Sequence, residues 1–243
     1  MNWPSDLEVM KLFALCQKML AERGIGVAQS TQFEAAEARA RAMGKPSITP
    51  MLSSEFNDLS KDDAFWLFLQ QDGRDIGCVA ARRDNLLSEN LSDYWARTNK
   101  RYYGLAGGKA TYAHALTAVS EIRGSVVYVG EFFIRECARG SRNQLTLFTH
   151  LLFSYCAMKW QPDWIYAFVR RNDIRRGYAG EYGFNRQIPG AQIWPSPPPG
   201  RQSDEYLVAL TRAELFHMAE IYCKKPDLFL SSDSLSRVEK LST

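Results

Sequence analysis

Residues 125–134, Ser-Val-Val-Tyr-Val-Gly-Glu-Phe-Phe-Ile, are dense in β-branched and aromatic side chains and read as a buried strand. A polar, basic break at 135–143 leads into Leu145, Leu147, Phe148, Leu151, Leu152, Tyr155 and Cys156, which recur at helical spacing. Residues 164–169 then form another strand. Strand, basic turn, helix and strand in this order demand a sheet with helices packed on it, because neither element buries its apolar side alone.

The rest of the chain extends that plan. Ser5 or Asp6 caps a helix whose apolar positions run from Leu7 to Leu20, with Gly24 and Gly26 ending it, and a second helix covers 31–43. Pro, Ser and Asn make 45–57 a loop. Residues 64–70 and 75–82 read as a hairpin around Gln71-Asp72-Gly73-Arg74. Two helices, at 88–102 and 109–122 and parted by the glycines of 104–108, form an insert at 84–124. A short helix is expected over 173–181, a strand over 205–210 and a helix over 212–223, with a Ser-rich tail after Leu230. The fold class is α/β (α+β). Three parts are expected: an N-terminal helical elaboration at 1–60, a sheet domain at 61–212 carrying the insert, and a C-terminal helix and tail at 213–243.

Composition removes several classes. In 243 residues, 46% are hydrophobic and 23% charged, ordinary values for a globular chain. A formal net charge of +3 is too small to mark a nucleic-acid binder. Five cysteines, odd in number and without a C-x-x-C pair, suggest neither a zinc site nor a disulfide framework. No stretch of 18 apolar residues and no signal-type N-terminus occurs, so a cytoplasmic protein without a membrane partner is expected. His114, His150 and His217 lack carboxylate or cysteine partners at ligand spacing, so no metal site is expected. Positive charge does gather locally, as Arg135, Arg139 and Arg142, and again as Arg170, Arg171, Arg175 and Arg176. Such runs are either a solvated surface or an anion site.

A turn that enters a helix offers unpaired N–H groups and partial positive charge to an anion. Arg139-Gly140-Ser141-Arg142-Asn143-Gln144 fits that description, although strand-turn-helix units also occur with purely structural roles. The run 128–134, the turn 139–144 with Leu147-Phe148, and Val169-Arg170-Arg171-Asn172 followed by Tyr182-Gly183-Phe184 together resemble the donor-binding signature of the GNAT acyltransferases. Gly183 and Phe184 stand eleven and twelve residues after Asn172, the spacing that family uses, and the resemblance spans about residues 60–212.

The resemblance implies a GNAT-like mixed, mostly antiparallel central sheet flanked by helices. It implies acetyl-CoA or another acyl-CoA as co-substrate, held by Ile134, Arg135, Arg139, Gly140, Ser141, Arg142, Asn143, Gln144 and Asn172. The implied reaction is direct attack of a primary amine, on a small molecule or peptide, in a ternary complex; a homodimer is compatible with it. Two departures stand out. Arg142 and Gln144 occupy positions where the family's Q/R-x-x-G-x-G/A pattern has small residues, and Ala179 occupies the position of the Tyr that protonates the leaving thiolate. Tyr178, one residue earlier, is either that acid or an ordinary aromatic. Glu131, in an apolar strand, either meets a cation or sits at an open face, and it is the candidate for orienting or deprotonating the acceptor. Two alternatives stay open: an acyl-carrier-protein-dependent N-acyltransferase of the N-acyl amino acid or acyl-homoserine lactone synthase type, and a catalytically inactive ligand-sensing module.

Overall fold

The computed structural model describes residues 6–104, 117–192, 194, 197, 200–228 and 230. Helix α1 (Asp6–Ala21) buries Val9, Leu12, Cys16, Met19 and Leu20, the stripe its spacing implies. Strand β1 (Gly26–Ser30) and helix α2 (Phe33–Ala42) follow, then the expected loop with a 3-10 turn at Pro50–Leu52. Strands β2 (Ala64–Gln71) and β3 (Arg74–Asn90) form the hairpin, with Asp72 and Gly73 both at positive φ, as a two-residue turn between right-twisted strands requires. Next come α3 (Leu91–Gly104), α4 (Thr117–Ser120), β4 (Arg123–Ile134), α5 (Arg142–Trp160) and β5 (Trp164–Val169). The chain continues through α6 (Arg171–Arg175), α7 (Tyr178–Glu181), β6 (Arg186–Pro189), β7 (Tyr206–Thr211) and α8 (Arg212–Lys224).

One seven-stranded sheet has the order β1-β2-β3-β4-β5-β7-β6. Every neighbouring pair is antiparallel except β4 and β5, so the sheet is mixed and mostly antiparallel, with helices on both faces. On one face α1, α5 and α8 close a core around Leu12, Phe65, Leu151 and Leu215. On the other, α2 and α3 close a second, aromatic core around Trp66, Trp95, Tyr102 and Tyr166. Helix α5 is covered on nearly every side, which explains why its buried positions run from Asn143 to Trp160 without a clean polar stripe.

Several expectations are corrected. The N-terminal 60 residues are not solely helical, since Gly26–Ser30 forms an edge strand on β2. Its half-exposed sequence Gly-Val-Ala-Gln-Ser carries too little alternation to announce a strand. The other edge, β6, ends at Pro189, where a missing N–H does no harm. The helix expected over 173–181 breaks in two because Gly177 adopts φ +81°. The insert leaves and re-enters the sheet at one point, where Asn90 pairs with Arg123 and the Leu91 N–H donates to the Ile122 carbonyl at 2.9 Å. Most of the helix expected over 109–122, and the Ser-rich tail, lie outside the described residues.

Candidate active site

The parallel pair is short. Strands β4 and β5 are in register only at Val126–Trp164, Val127–Ile165 and Tyr128–Tyr166. Beyond Tyr128, β4 keeps its antiparallel partner β3 and β5 keeps β7, so the sheet opens between them. A cleft of about 930 Å³ occupies that opening. Its walls include Val129 and Ala167 from the first core and Tyr128 and Phe168 from the second, so it runs through the sheet from one face to the other. A β-bulge shapes the β4 wall: Glu131 and Phe132 together oppose Val79, with Glu131 at φ +62°. The extra residue sends Phe132 toward α5, against Phe148 and Tyr182 at ring distances of 5.9 and 5.5 Å, and turns Glu131 to the opposite side.

On the α5 side, the basic turn opens into the cleft. Gly140 takes φ +114°, Ser141 caps the helix by accepting from the Gln144 N–H at 3.1 Å, and Arg139 to Arg142 with Gln144 line the wall beside Ile134. Arg142 and Gln144 lie within α5 or its first turn, so neither position demands a glycine conformation. Arg139 Nε donates to the Ile134 carbonyl at 2.9 Å, and Arg142 pairs with Glu181 at 3.0 Å. The cleft lining carries six basic side chains, Lys45, Arg139, Arg142, Arg170, Arg176 and Arg201, against three acidic ones, Glu131, Asp173 and Glu205. An anion is therefore favoured there. Arg135, Asn143 and Asn172 are not among the lining residues: the Arg135 N–H extends the β3–β4 ladder to Ile76 at 2.9 Å, Asn143 is buried in α5, and Asn172 sits exposed in the first turn of α6.

Glu131 meets a cation. Its carboxylate is buried, 2.9 Å from Lys45 Nζ, and accepts from the Thr49 N–H at 2.7 Å and the Thr49 hydroxyl at 2.6 Å. Both oxygens hold the 45–49 segment against the bulge, while Glu131 remains part of the cleft lining. Tyr178 lines the cleft, stacked on Tyr182 at 6.1 Å, whereas Ala179 is buried. The break at Gly177 removes the continuous helix in which a one-residue offset would rotate Tyr178 by about 100°.

The far side of the cleft holds residues that the sequence reading missed. The Arg201 guanidinium lies 3.9 Å over the Phe168 ring, with Nη2 2.8 Å from Glu205 Oε2 and 2.9 Å from Gln192 Oε1. Burial raises the Glu205 carboxyl above its usual range, while Arg201 pulls it back. The Tyr103 and Tyr128 hydroxyls are pushed up by burial too, so both stay protonated. Deeper in the second core, Arg82 donates to Asp84, Asn57, Tyr102 and the Met51 carbonyl, tying β3 to the loop and to α3. A Pro-rich loop is where charges normally face water, and only the tertiary fold shows Arg201 buried. Among the described residues, no group of His, Cys, Asp and Glu could hold a metal ion, and no helix is long and apolar enough to cross a membrane.

No protein-family model and no curated protein matches the sequence. Solved structures do. One is FeeM, an N-acyl amino acid synthase from uncultured soil microbes, at 11% identity over 79% of this chain and 92% of that one, with a TM-score of 0.48. Another is an agmatine N-acetyltransferase, at 13% identity over 77% and 99%, TM-score 0.49. A third is Arabidopsis thaliana Naa50 in complex with a bisubstrate analogue, at 12% identity over 77% and 99%, TM-score 0.43. The mixed, mostly antiparallel sheet flanked by helices is the arrangement that the sequence resemblance implies. The cleft's own geometry, and not these distant likenesses, supports the function proposed next.

Proposed function

We propose that the chain is an N-acyltransferase that moves an acetyl or other acyl group from acyl-CoA to a primary amine by direct attack. The observation that carries this reading is the cleft through the sheet, with the N-terminus of α5 and its arginines on one face and a buried ionic site on the other. A pyrophosphate suits the first: backbone N–H groups and the helix dipole favour an anion, and Arg139 and Arg142 add charge-assisted hydrogen bonds. The thioester then lies along the open edge of β4, where a main-chain N–H near Ile134 polarises its carbonyl.

The acceptor approaches from the second face. An alkylammonium with a pKa of about 10.4 must lose a proton before it attacks. Glu205, raised by burial and lining the cleft, is the carboxylate suited to take that proton, directly or through water. The amine nitrogen bonds to the thioester carbon, the C–S bond breaks, and the departing thiolate takes the Tyr178 hydroxyl proton, which solvent restores. Glu131 keeps the 45–49 wall in place during these steps.

The test is thiol release from acetyl-CoA and longer acyl-CoAs in the presence of mixed primary amines, with the acylated product identified by mass. Amine-dependent release is expected. A second reading, with acyl carrier protein as donor, is favoured by the exposed Arg171, Arg175 and Arg176 beside the cleft, which suit an acidic protein. Turnover of carrier-bound but not CoA-bound acyl groups selects it, and CoA binding without any turnover selects a sensing module.

A further inference from the structure

Arg201, in the cleft lining, and Gln192, in contact with it behind that wall, each carry a buried N–H without a hydrogen-bond partner among the described residues, and the Tyr103 hydroxyl lies beside the same guanidinium. The Arg201 side chain is 3% exposed and lines the cleft, yet its Nε–H has no partner among the described residues. Gln192 is 2% exposed, and its Nε2 amide is likewise unpartnered. The amide orientation is fixed by chemistry: Gln192 Oε1 accepts from Arg201 Nη2 at 2.9 Å, and reversing it would set donor against donor. Leaving two neighbouring N–H groups dry and unpaired is costly, and the cost is removed by a ligand that brings acceptor atoms. Planar guanidinium donors match a carboxylate best.

Glu205, 2.8 Å from Arg201, bears on what else such a ligand carries. A bare anion beside Glu205 would meet like charge, whereas a ligand with a carboxylate and an ammonium satisfies both members of the pair. Glu205 then faces the group that must be deprotonated. Phe168 lies beneath the guanidinium, and the Tyr103 and Tyr128 hydroxyls stand close enough to act on it. The basic excess of the lining also accommodates one more negative charge. Resting on the acyltransferase reading above, we infer that the acceptor is an amino acid, its carboxylate bound by Arg201 and Gln192 and its amino group presented to Glu205.

The experiment sets each amino acid against its decarboxylated twin as acceptor, in the full chain with acetyl-CoA and a long-chain acyl-CoA. At least a tenfold advantage in kcat/KM for the carboxylated partner is expected. Gln192→Leu leaves the Arg201–Glu205 pair intact and should cut that advantage threefold or more, and Arg201→Met should abolish it, with acyl-CoA affinity unchanged in both. Equal use of the twins overturns the inference, as does an advantage that survives Gln192→Leu. A turnover-independent arm titrates N-acetylated amino acids and the matching amides of the decarboxylated amines into the protein by calorimetry. Tighter binding of the carboxylated series, lost in Gln192→Leu, supports the inference; equal binding, or none by either series, overturns it. Acyl-CoA affinity is read separately, so its absence would sink the acyltransferase reading and not the carboxylate site.

Discussion

Glu131 illustrates how a buried charge is placed. An acidic residue among Val, Tyr and Phe had to find a cation or water, and that much was legible in the sequence; that the cation would be Lys45 depended on the bulge at φ +62° and on the packing of a loop. Glu131→Gln keeps the shape and leaves Lys45 buried without its counter-charge, so it should lower stability by about 3 kcal/mol in denaturant unfolding. An unchanged midpoint would remove the anchoring role. The proposed reaction assigns its proton transfers to Tyr178 and Glu205 instead. Tyr178→Phe and Glu205→Gln should each lower kcat by roughly 10²-fold, with acyl-CoA affinity within a factor of about two of the parent. Loss confined to KM would assign them to binding. Glu205 was unreadable as a site residue, because nothing local marks a charge in a Pro-rich stretch as buried.

Among elements, α5 connects the basic turn 139–144 to the core, and it buries a histidine. His150 is buried, with Nδ1 2.8 Å from the Thr146 carbonyl, and burial lowers its pKa to about 4. The folded state therefore holds the ring neutral while the unfolded chain binds a proton below about 6.5, so stability falls as pH drops from about 6.5 toward 4. A loss of about 2–3 kcal/mol between pH 7 and 4.5 is expected from this group, and His150→Gln should flatten the slope; an equal slope in the variant would point to the carboxylates. The same ring explains the glycine of the Gly-Phe pair that was visible in the sequence. Gly183 has φ +89° and a Cβ there would stand 2.8 Å from His150 Nε2, while Phe184 packs edge-on against Phe153 at 5.0 Å. Gly183→Ala should cost at least about 1 kcal/mol, measured as a lowered Tm. The strong elements α1, β2, β5 and α5 were legible from periodicity alone. The edges β1 and β6 were not, because an edge strand is fixed by its neighbour's open ladder more than by its own side chains.

For the molecule as a whole, helix α3 of the insert packs into the second core of the sheet. Tyr94, Trp95, Tyr102 and Tyr103 from α3 are buried against the sheet, and Arg82 of β3 donates to the Tyr102 hydroxyl at 2.8 Å. The peptide 84–124 made alone should show no cooperative melt in circular dichroism, because its apolar partners lie on the sheet. The sequence could foretell the sheet, the basic turn 139–144 and the helix behind it, since those rest on local spacing; the Arg201–Glu205 side of the cleft is assembled from segments far apart in the chain and emerges only on folding. The claim on which everything else rests is that the turn 139–144 and the N-terminus of α5 hold the pyrophosphate of an acyl-CoA. Calorimetric titration of acetyl-CoA into the parent and into the Arg139→Ala, Arg142→Ala double variant tests it most directly. Saturable binding by the parent and at least tenfold weaker binding by a folded double variant, about 1.4 kcal/mol, is the predicted result; equal affinity in the two, or no binding by the parent, would contradict it.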